Sequence, residues 1–354
     1  MSTAPERPTP AATILLASSR CWVELSRCLD DLRACLRDEA QGRTIEVITL
    51  HGPDDDSAVD VVKEECPDAK VLVSRRSSIP ALFNLGARHA RGDVLVFLDD
   101  NAWPHRGWLR ALLAALENRP QAVAATPSEH SVRGTLTFGP SLLDGCGRIV
   151  PWGSATAVPA GNARALPESG FAVRRHAFFA LGGFDERLCA RYGAMDLAMR
   201  LHAAHGNQCT VHVEPGSVTR VHATSLFPAI AVERPWFAGT RSHIAFAARH
   251  RGLLRGTASA TLTAAGRLSR AAWRSCTGSL RMGHGISIAL RLALAIPCGW
   301  LCALLLPRKT PLQALQAPDP VLVPVDPLAL AAKRSEPAVQ ARHQVRRDRE
   351  AITA

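Results

Sequence analysis

Asp99 and Asp100 follow five apolar residues, Val94-Leu95-Val96-Phe97-Leu98, and Asn101 follows them. A short apolar run of this kind reads as a strand buried on both faces, as in the middle of a parallel sheet. In an open α/β sheet the ligand crevice lies beyond the carboxyl ends of the strands, so two acids placed there face a site. Adjacent carboxylates are hard oxygen ligands suited to Mg2+ or Mn2+, whose shell water or phosphate oxygens complete. The same pair is also compatible with a solvated turn. Other groups able to hold or accept a proton are His51, Asp185 and Glu186 in Gly182-Gly183-Phe184-Asp185-Glu186, Asp196, and His222 in Val221-His222-Ala223-Thr224-Ser225.

The elements that must position these groups alternate. The pattern predicts a strand over 12–17, ending at Ser18-Ser19-Arg20, then a helix with Leu25, Leu29, Leu32 and Leu36 on one face. A second strand over 45–50 opens into His51-Gly52-Pro53-Asp54-Asp55-Asp56, where Asp56 is a candidate cap for the next helix. A third strand over 70–73 leads to a helix over 78–89, with Pro80 in its first turn, and then to the strand carrying the two acids. Pro104 stops that strand, and Trp108, Leu109, Leu112, Leu113 and Leu116 recur at helical spacing. This alternation argues for an α/β fold, a mostly parallel central sheet with helices on both faces. Beyond Glu117 the pattern predicts short strands over 122–125 and 134–138, loops through the Gly- and Pro-rich 139–165, and a helix over 175–181 after Phe171-Ala172-Val173. A further helix is predicted from Asp196, ended by Gly206, with a late strand over 209–213.

Charge divides the chain. Residues 1–230 hold 24 Lys and Arg against 25 Asp and Glu, whereas 231–354 hold 18 against 6, so the excess of +11 is C-terminal. From Arg234 to Lys309 there are twelve basic residues and no acid, which suits an anionic membrane surface. That half is interleaved with Leu, Ala and Ile and shows no nucleic-acid motif, so nucleic acid is not the expected partner. Leu292 to Leu306 is uncharged but contains Pro297 and falls short of the roughly 20 apolar residues a span requires. An interfacial or re-entrant segment, a true span and a packed helix all remain open for 286–306. Ten cysteines without Cys-x-x-Cys spacing read as reduced thiols, and Met1 to Thr13 shows no signal-peptide core, so the expected location is cytoplasmic, at the inner face of the cell membrane. The expected organisation is a tail over 1–11, an α/β domain over 12–230, a basic, helical, membrane-associated extension over 231–310, and a disordered tail over 311–354.

Asn84-Leu85-Gly86-Ala87, Ala90-Arg91-Gly92-Asp93, the strand into Asp99-Asp100-Asn101, and Gly107-Trp108-Leu109 together resemble the centre of the family-2 inverting glycosyltransferases. Gly182-Gly183-Phe184-Asp185-Glu186 with Asp196-Leu197 and Arg200-Leu201 is similar to the acceptor-side motif of that family. The resemblance covers roughly 12–250 and implies the glycosyltransferase type-A fold, a nucleotide-diphospho-sugar donor, Mg2+ or Mn2+, and inversion at the anomeric carbon. It implies nucleotide-sugar contacts at Ala17, Ser19, His51, Asn84 and Asp99 and metal ligands at Asp99, Asp100 and His222; Asp196 and Asp185, with Glu186 beside it, are the candidate catalytic acids that could substitute for the family's usual acidic pair. A saccharide or lipid-linked acceptor in polysaccharide assembly at the cell envelope is the expected second substrate.

Two departures stand out. His51 occupies the place where the family usually has a base-reading Asp, and imidazole can also donate or accept a hydrogen bond. Gly193-Ala194 occupy the place of the usual acidic pair, and neither accepts a proton; general-base help is worth about 10²–10⁴-fold. A catalytically degenerate nucleotide-sugar-binding or scaffolding homologue is therefore the alternative reading.

Overall fold

The first four apolar runs form β1 (Ala12–Ala17), β2 (Ile45–His51), β3 (Lys70–Val73) and β4 (Val94–Asp99), joined by α1 (Trp22–Glu39), α2 (Asp56–Glu65) and α3 (Ile79–His89). The computed structural model describes residues 9–18, 22–39, 43–53, 55–76, 78–131, 134–138, 141–143, 149–151, 165–206, 209–220 and 234–252, with 256–258, 261–266, 293–302 and 304. β5 (Ala102–Pro104), α4 (Trp108–Glu117), β6 (Ala124–Ser131), β7 (Leu136–Phe138), β8 (Ser141–Leu143) and β9 (Ile149–Pro151) follow. The described domain closes with β10 (Phe171–Arg174), α5 (Arg175–Ala180), α6 (Ala190–His205), β11 (Thr210–Arg220) and α7 (Arg234–Arg251).

The main sheet runs β3-β2-β1-β4-β10-β6-β11-β5, with β7 on β6. Strands β1, β2, β3, β4, β6 and β11 point one way, and β5, β7 and β10 run against them. The sheet is thus mostly parallel, as the apolar runs imply. α1, α2 and α4 pack on one face through Leu25, Leu29, Val62 and Trp108, against Ile14, Val96 and Leu98. α3, α5 and α6 pack on the other through Phe83, Phe178 and Leu197, against Leu15, Leu95 and Phe97. Phe97 is the hub of that second core, with its ring centroid 5.1–5.2 Å from those of Phe83, Phe171, Phe178 and Phe184.

Several boundaries depart from the sequence pattern. α6 starts at Ala190, so Asp196 lies in mid-helix rather than at the N-terminus; residues 192–198 are all buried, which leaves no periodic face to read. Segment 141–151 contains the β8-β9 hairpin, Ala102–Pro104 is a strand paired with β11, and β11 extends to Arg220. The N-cap of α2 is Asp55, not Asp56, and Asp55 makes no capping hydrogen bond. Ser19, His222, the tails over 1–8 and 311–354, and residues 286–292, 303 and 305–306 lie outside the described residues.

Candidate active site

Parallel register aligns the candidate residues on one rim. Ala17 is level with Leu50 on one side and Asp99 on the other, so Ser18, His51 and Asp100 form the next row. The backbone closes this row: Asp100 N–H donates to Ala17 O at 3.1 Å and Ser18 N–H to Leu50 O at 2.8 Å. With strands about 4.8 Å apart, the β2 and β4 ends are roughly 10 Å from each other across β1. Ala17, His51, Asp99 and Asp100 therefore come together, as placement at strand ends requires.

The acidic corner is held by residues that the sequence did not flag. Asp99 N–H donates to Ser169 Oγ at 2.7 Å, and Gly170 N–H to Phe97 O at 2.7 Å. From beneath, α1 presents two thiols one heptad apart. Cys28 Sγ donates to Ala102 O at 3.3 Å and lies 3.8 Å from Asp99 O; Cys35 Sγ donates to His105 O at 3.3 Å. Burial, then the neighbouring charges of Asp100 and Asp99, push the Cys28 thiol well above its ordinary pKa, so it stays a donor. Asp99 and Asp100 are 3% and 0% exposed. Among the described residues no group of three or more His, Cys, Asp or Glu is placed to hold a metal ion; the oxygen ligands at this corner are the carboxylates of Asp99 and Asp100. Two carboxylates with water or phosphate oxygens completing the shell are a donor set that Mg2+ or Mn2+ accepts.

His51 is fully buried, with Nδ1 3.2 Å from Asp55 Oδ2. A carboxylate at Nδ1 makes that nitrogen the donor, so in the neutral ring Nε2 is an acceptor. Among the described residues Nε2 has no hydrogen-bond partner.

Asn84, in α3, is committed to the turn over 182–186. Its Nδ2 donates to Phe184 O and Glu186 Oε1, both at 3.0 Å, and its Oδ1 accepts from Phe184 N–H at 2.9 Å. Gly182 and Gly183 both have positive φ, 76° and 71°, which lets the chain reverse directly after α5. Glu186 also pairs with Arg76.

Asp185 and Asp196 share one buried cation. Arg249 of α7 donates Nη2 to Asp185 Oδ2 and Nη1 to Asp196 Oδ1, each at 2.8 Å. Asp196 also lies 2.9 Å from His250 Nε2 and accepts from Arg200 Nε at 2.8 Å, and Arg187 clamps Asp185 through Nε and Nη2. Burial alone would raise both carboxyls. His250, Arg200 and Arg249 outweigh it at Asp196, as do Arg187 and Arg249 at Asp185, and both sit below the ordinary carboxylate range. Carboxylates so held are weak bases. Gly193 and Ala194 offer no substitute: a Cβ at 193 would meet Pro80 Cγ at 3.4 Å and Phe184 Cδ1 at 3.8 Å, and Ala194 packs in the Phe97 core. A cavity of about 400 Å3 lined by Asp93, Arg174, Arg175, His176 and Phe179 opens at the opposite rim, beside the start of β4, and contains none of these residues.

Residues 14–179 match the family model described as glycosyl transferase family 2. This segment is a family-2 glycosyl transferase domain. It runs from within β1 through β2 to β4, the Asp99-Asp100 corner and β10. The chain is 30% identical over 176 residues to the inactive polypeptide N-acetylgalactosaminyltransferase-like protein 5 of Macaca fascicularis, a match covering 43% of this chain and 40% of that protein. The chain thus spans well under half the length of this curated relative. Among solved structures, GalNAc-T7 with UDP, GalNAc and Mn2+ superposes with a TM-score of 0.47 at 16% identity, over 61% of this chain and 44% of that one. The mannosyltransferase PcManGT of Pyrobaculum calidifontis, in complex with GDP-Man and Mn2+, gives 0.47 at 14% identity over 84% and 88%.

Proposed function

We propose that the family-2 domain binds a nucleotide-diphospho-sugar at the Ala17, His51, Asp99 and Asp100 rim and transfers the sugar, with inversion, to a saccharide or lipid-linked acceptor met at a membrane surface. The observation that carries this is the register that sets a carboxylate pair and a buried histidine in the last two rows at the carboxyl ends of three adjacent parallel strands. Asp99 and Asp100 would hold Mg2+ or Mn2+, which when bound offsets the charge of the departing diphosphate. His51, oriented by Asp55, offers Nε2 as an acceptor for an N–H of the nucleobase. Asn84 acts on the site indirectly, by fixing the turn that carries Asp185 and Glu186. Ser19 and His222 are retained as further contacts to the donor and the cation.

The second reading is a donor-binding homologue with little or no turnover. It is favoured by one observation: the two acids assigned to proton removal are both engaged by guanidinium groups. Calorimetry of the purified chain with a panel of nucleotide sugars, with and without Mn2+, tests binding; release of nucleoside diphosphate in the presence of acceptor tests turnover. Cation-dependent uptake abolished by Asp100→Asn supports the site. Uptake of every donor that ignores both Mn2+ and that substitution would end the first reading and the second together. Uptake without turnover would select the second.

A further inference from the structure

Among the described residues, every large hydrophobic side chain left exposed, Leu136 apart, lies in two neighbouring pieces of the C-terminal extension. They are Leu262 at 74%, and Leu294, Trp300, Leu301 and Leu304 at 62, 36, 57 and 64%. The helical stretch over 293–302 reads Ala-Leu-Ala-Ile-Pro-Cys-Gly-Trp-Leu-Cys, with no charge on any side. One of its faces is used. Ala295 is fully buried, Ile296 joins Ile244 and Ala247, and Cys302 packs with Leu188, Tyr192, Met195 and Phe246. Gly299 lies so close to α7 that a Cβ there would come within 2.9 Å of Ile244. At 100° per residue, Leu294, Trp300, Leu301 and Leu304 fall together on the opposite side. Trp300 Nε1 donates to Thr261 Oγ1 at 3.2 Å, which brings the stretch bearing Leu262 alongside.

An all-apolar helix packed on one side only needs a second apolar phase on the other. We propose that this face rests in the headgroup and acyl boundary of an anionic bilayer, lying on the membrane rather than crossing it. Charge selects the occupant. From Arg234 to Lys309 the chain has twelve basic residues and no acid, so the charge of this segment is of one sign. A second copy of the chain would bring like charge against like charge, and nucleic acid has no apolar phase for leucine to enter. An anionic bilayer offers both. Length selects the mode: the uncharged run from Leu292 to Leu306 is fifteen residues, which as a helix spans about 22 Å, short of the roughly 30 Å hydrocarbon core. No helix among the described residues is long and apolar enough to cross a membrane.

The proposal extends the transferase reading by giving its acceptor surface a location, but its test needs neither donor nor metal, so either can fail alone. The full chain is floated with phosphatidylcholine vesicles, plain or with roughly one third phosphatidylglycerol, at physiological salt. Retention is expected on the anionic vesicles. The double substitution Leu294→Ser with Leu301→Ser should lower partitioning about tenfold or more, since each leucine contributes several CH2 groups. Leu136→Ser should leave it unchanged, and the melting temperature of all three proteins should agree. Retention of the double variant equal to that of the wild type would overturn the proposal. So would equal retention on DNA, or a wild-type dimer that the double substitution dissociates while vesicles are ignored.

Discussion

A buried carboxylate is costly unless its charge is met; Arg187 serves Asp185, Arg200 and His250 serve Asp196, and the two acids share Arg249, whose own side chain is 5% exposed. Arg249→Met would leave two buried anions short of a partner and is expected to cost about 3–5 kcal/mol of stability in a urea titration. Asp196→Asn separates structure from chemistry. A catalytic base would lose about 10²–10⁴-fold in turnover with its melting point little changed, whereas the hub observed here predicts a marked loss of melting temperature with donor uptake intact. At the rim, Asp100→Asn is expected to remove the Mn2+ dependence of nucleotide-sugar uptake by calorimetry while leaving the fold in place. The acidic corner was legible in sequence because strand, acids and helix follow one another within a few residues. Its supports were not, because they are distant in the chain: Cys28 is 71 residues from Asp99, Ser169 is 70, and Arg249 is 64 from Asp185.

Elements meet at a few positions that tolerate little change. Gly92 packs on the backbone of β1, where a Cβ would lie 2.5 Å from Ala12 C and Thr13 N, while its N–H donates to Thr13 Oγ1 at 2.9 Å. Gly92→Ala must push β1 and the entry to β4 apart, and about 1–3 kcal/mol of destabilisation is expected by thermal melting. Phe97 lies two residues before Asp99 and touches rings from α3, β10, α5 and the Phe184 turn, so Phe97→Ala is expected to cost about 3–5 kcal/mol. At this scale β1 and β4 were readable because strands buried on both faces are continuous apolar runs, and β2 and β3 because their shorter apolar runs alternate with helical patterns. α6 was misplaced by six residues because a helix buried on nearly all sides has no periodic face. β5 escaped because three residues ending in proline become a strand only through pairing with β11, more than a hundred positions away.

The whole molecule combines shifts of opposite sign, and pH separates them. Asp185, Asp196 and Glu46 are held below the ordinary carboxylate range despite burial: Asp185 and Asp196 as described, and Glu46 by hydrogen bonds from Arg91 and Thr13. Below about pH 4 the unfolded chain takes up protons at these groups that the folded chain refuses, so their stabilisation, complete above that point, is lost as pH falls through the folded values. Cys28, Cys66, Cys189 and Cys209 are raised, chiefly by burial. Above about pH 8.5 the unfolded thiols ionise while the folded ones do not, so stability declines as pH rises further. The melting temperature should therefore be highest between about pH 5 and 8 and fall on both flanks. The flanks can be assigned by substitution. Asp196→Asn should flatten the acid limb and leave the alkaline one, and Cys28→Ala should do the reverse, each lowering the plateau by the packing or pairing it removes. Parallel alkaline limbs in wild type and Cys28→Ala would show that the thiol beneath the acidic corner is not the group that titrates there.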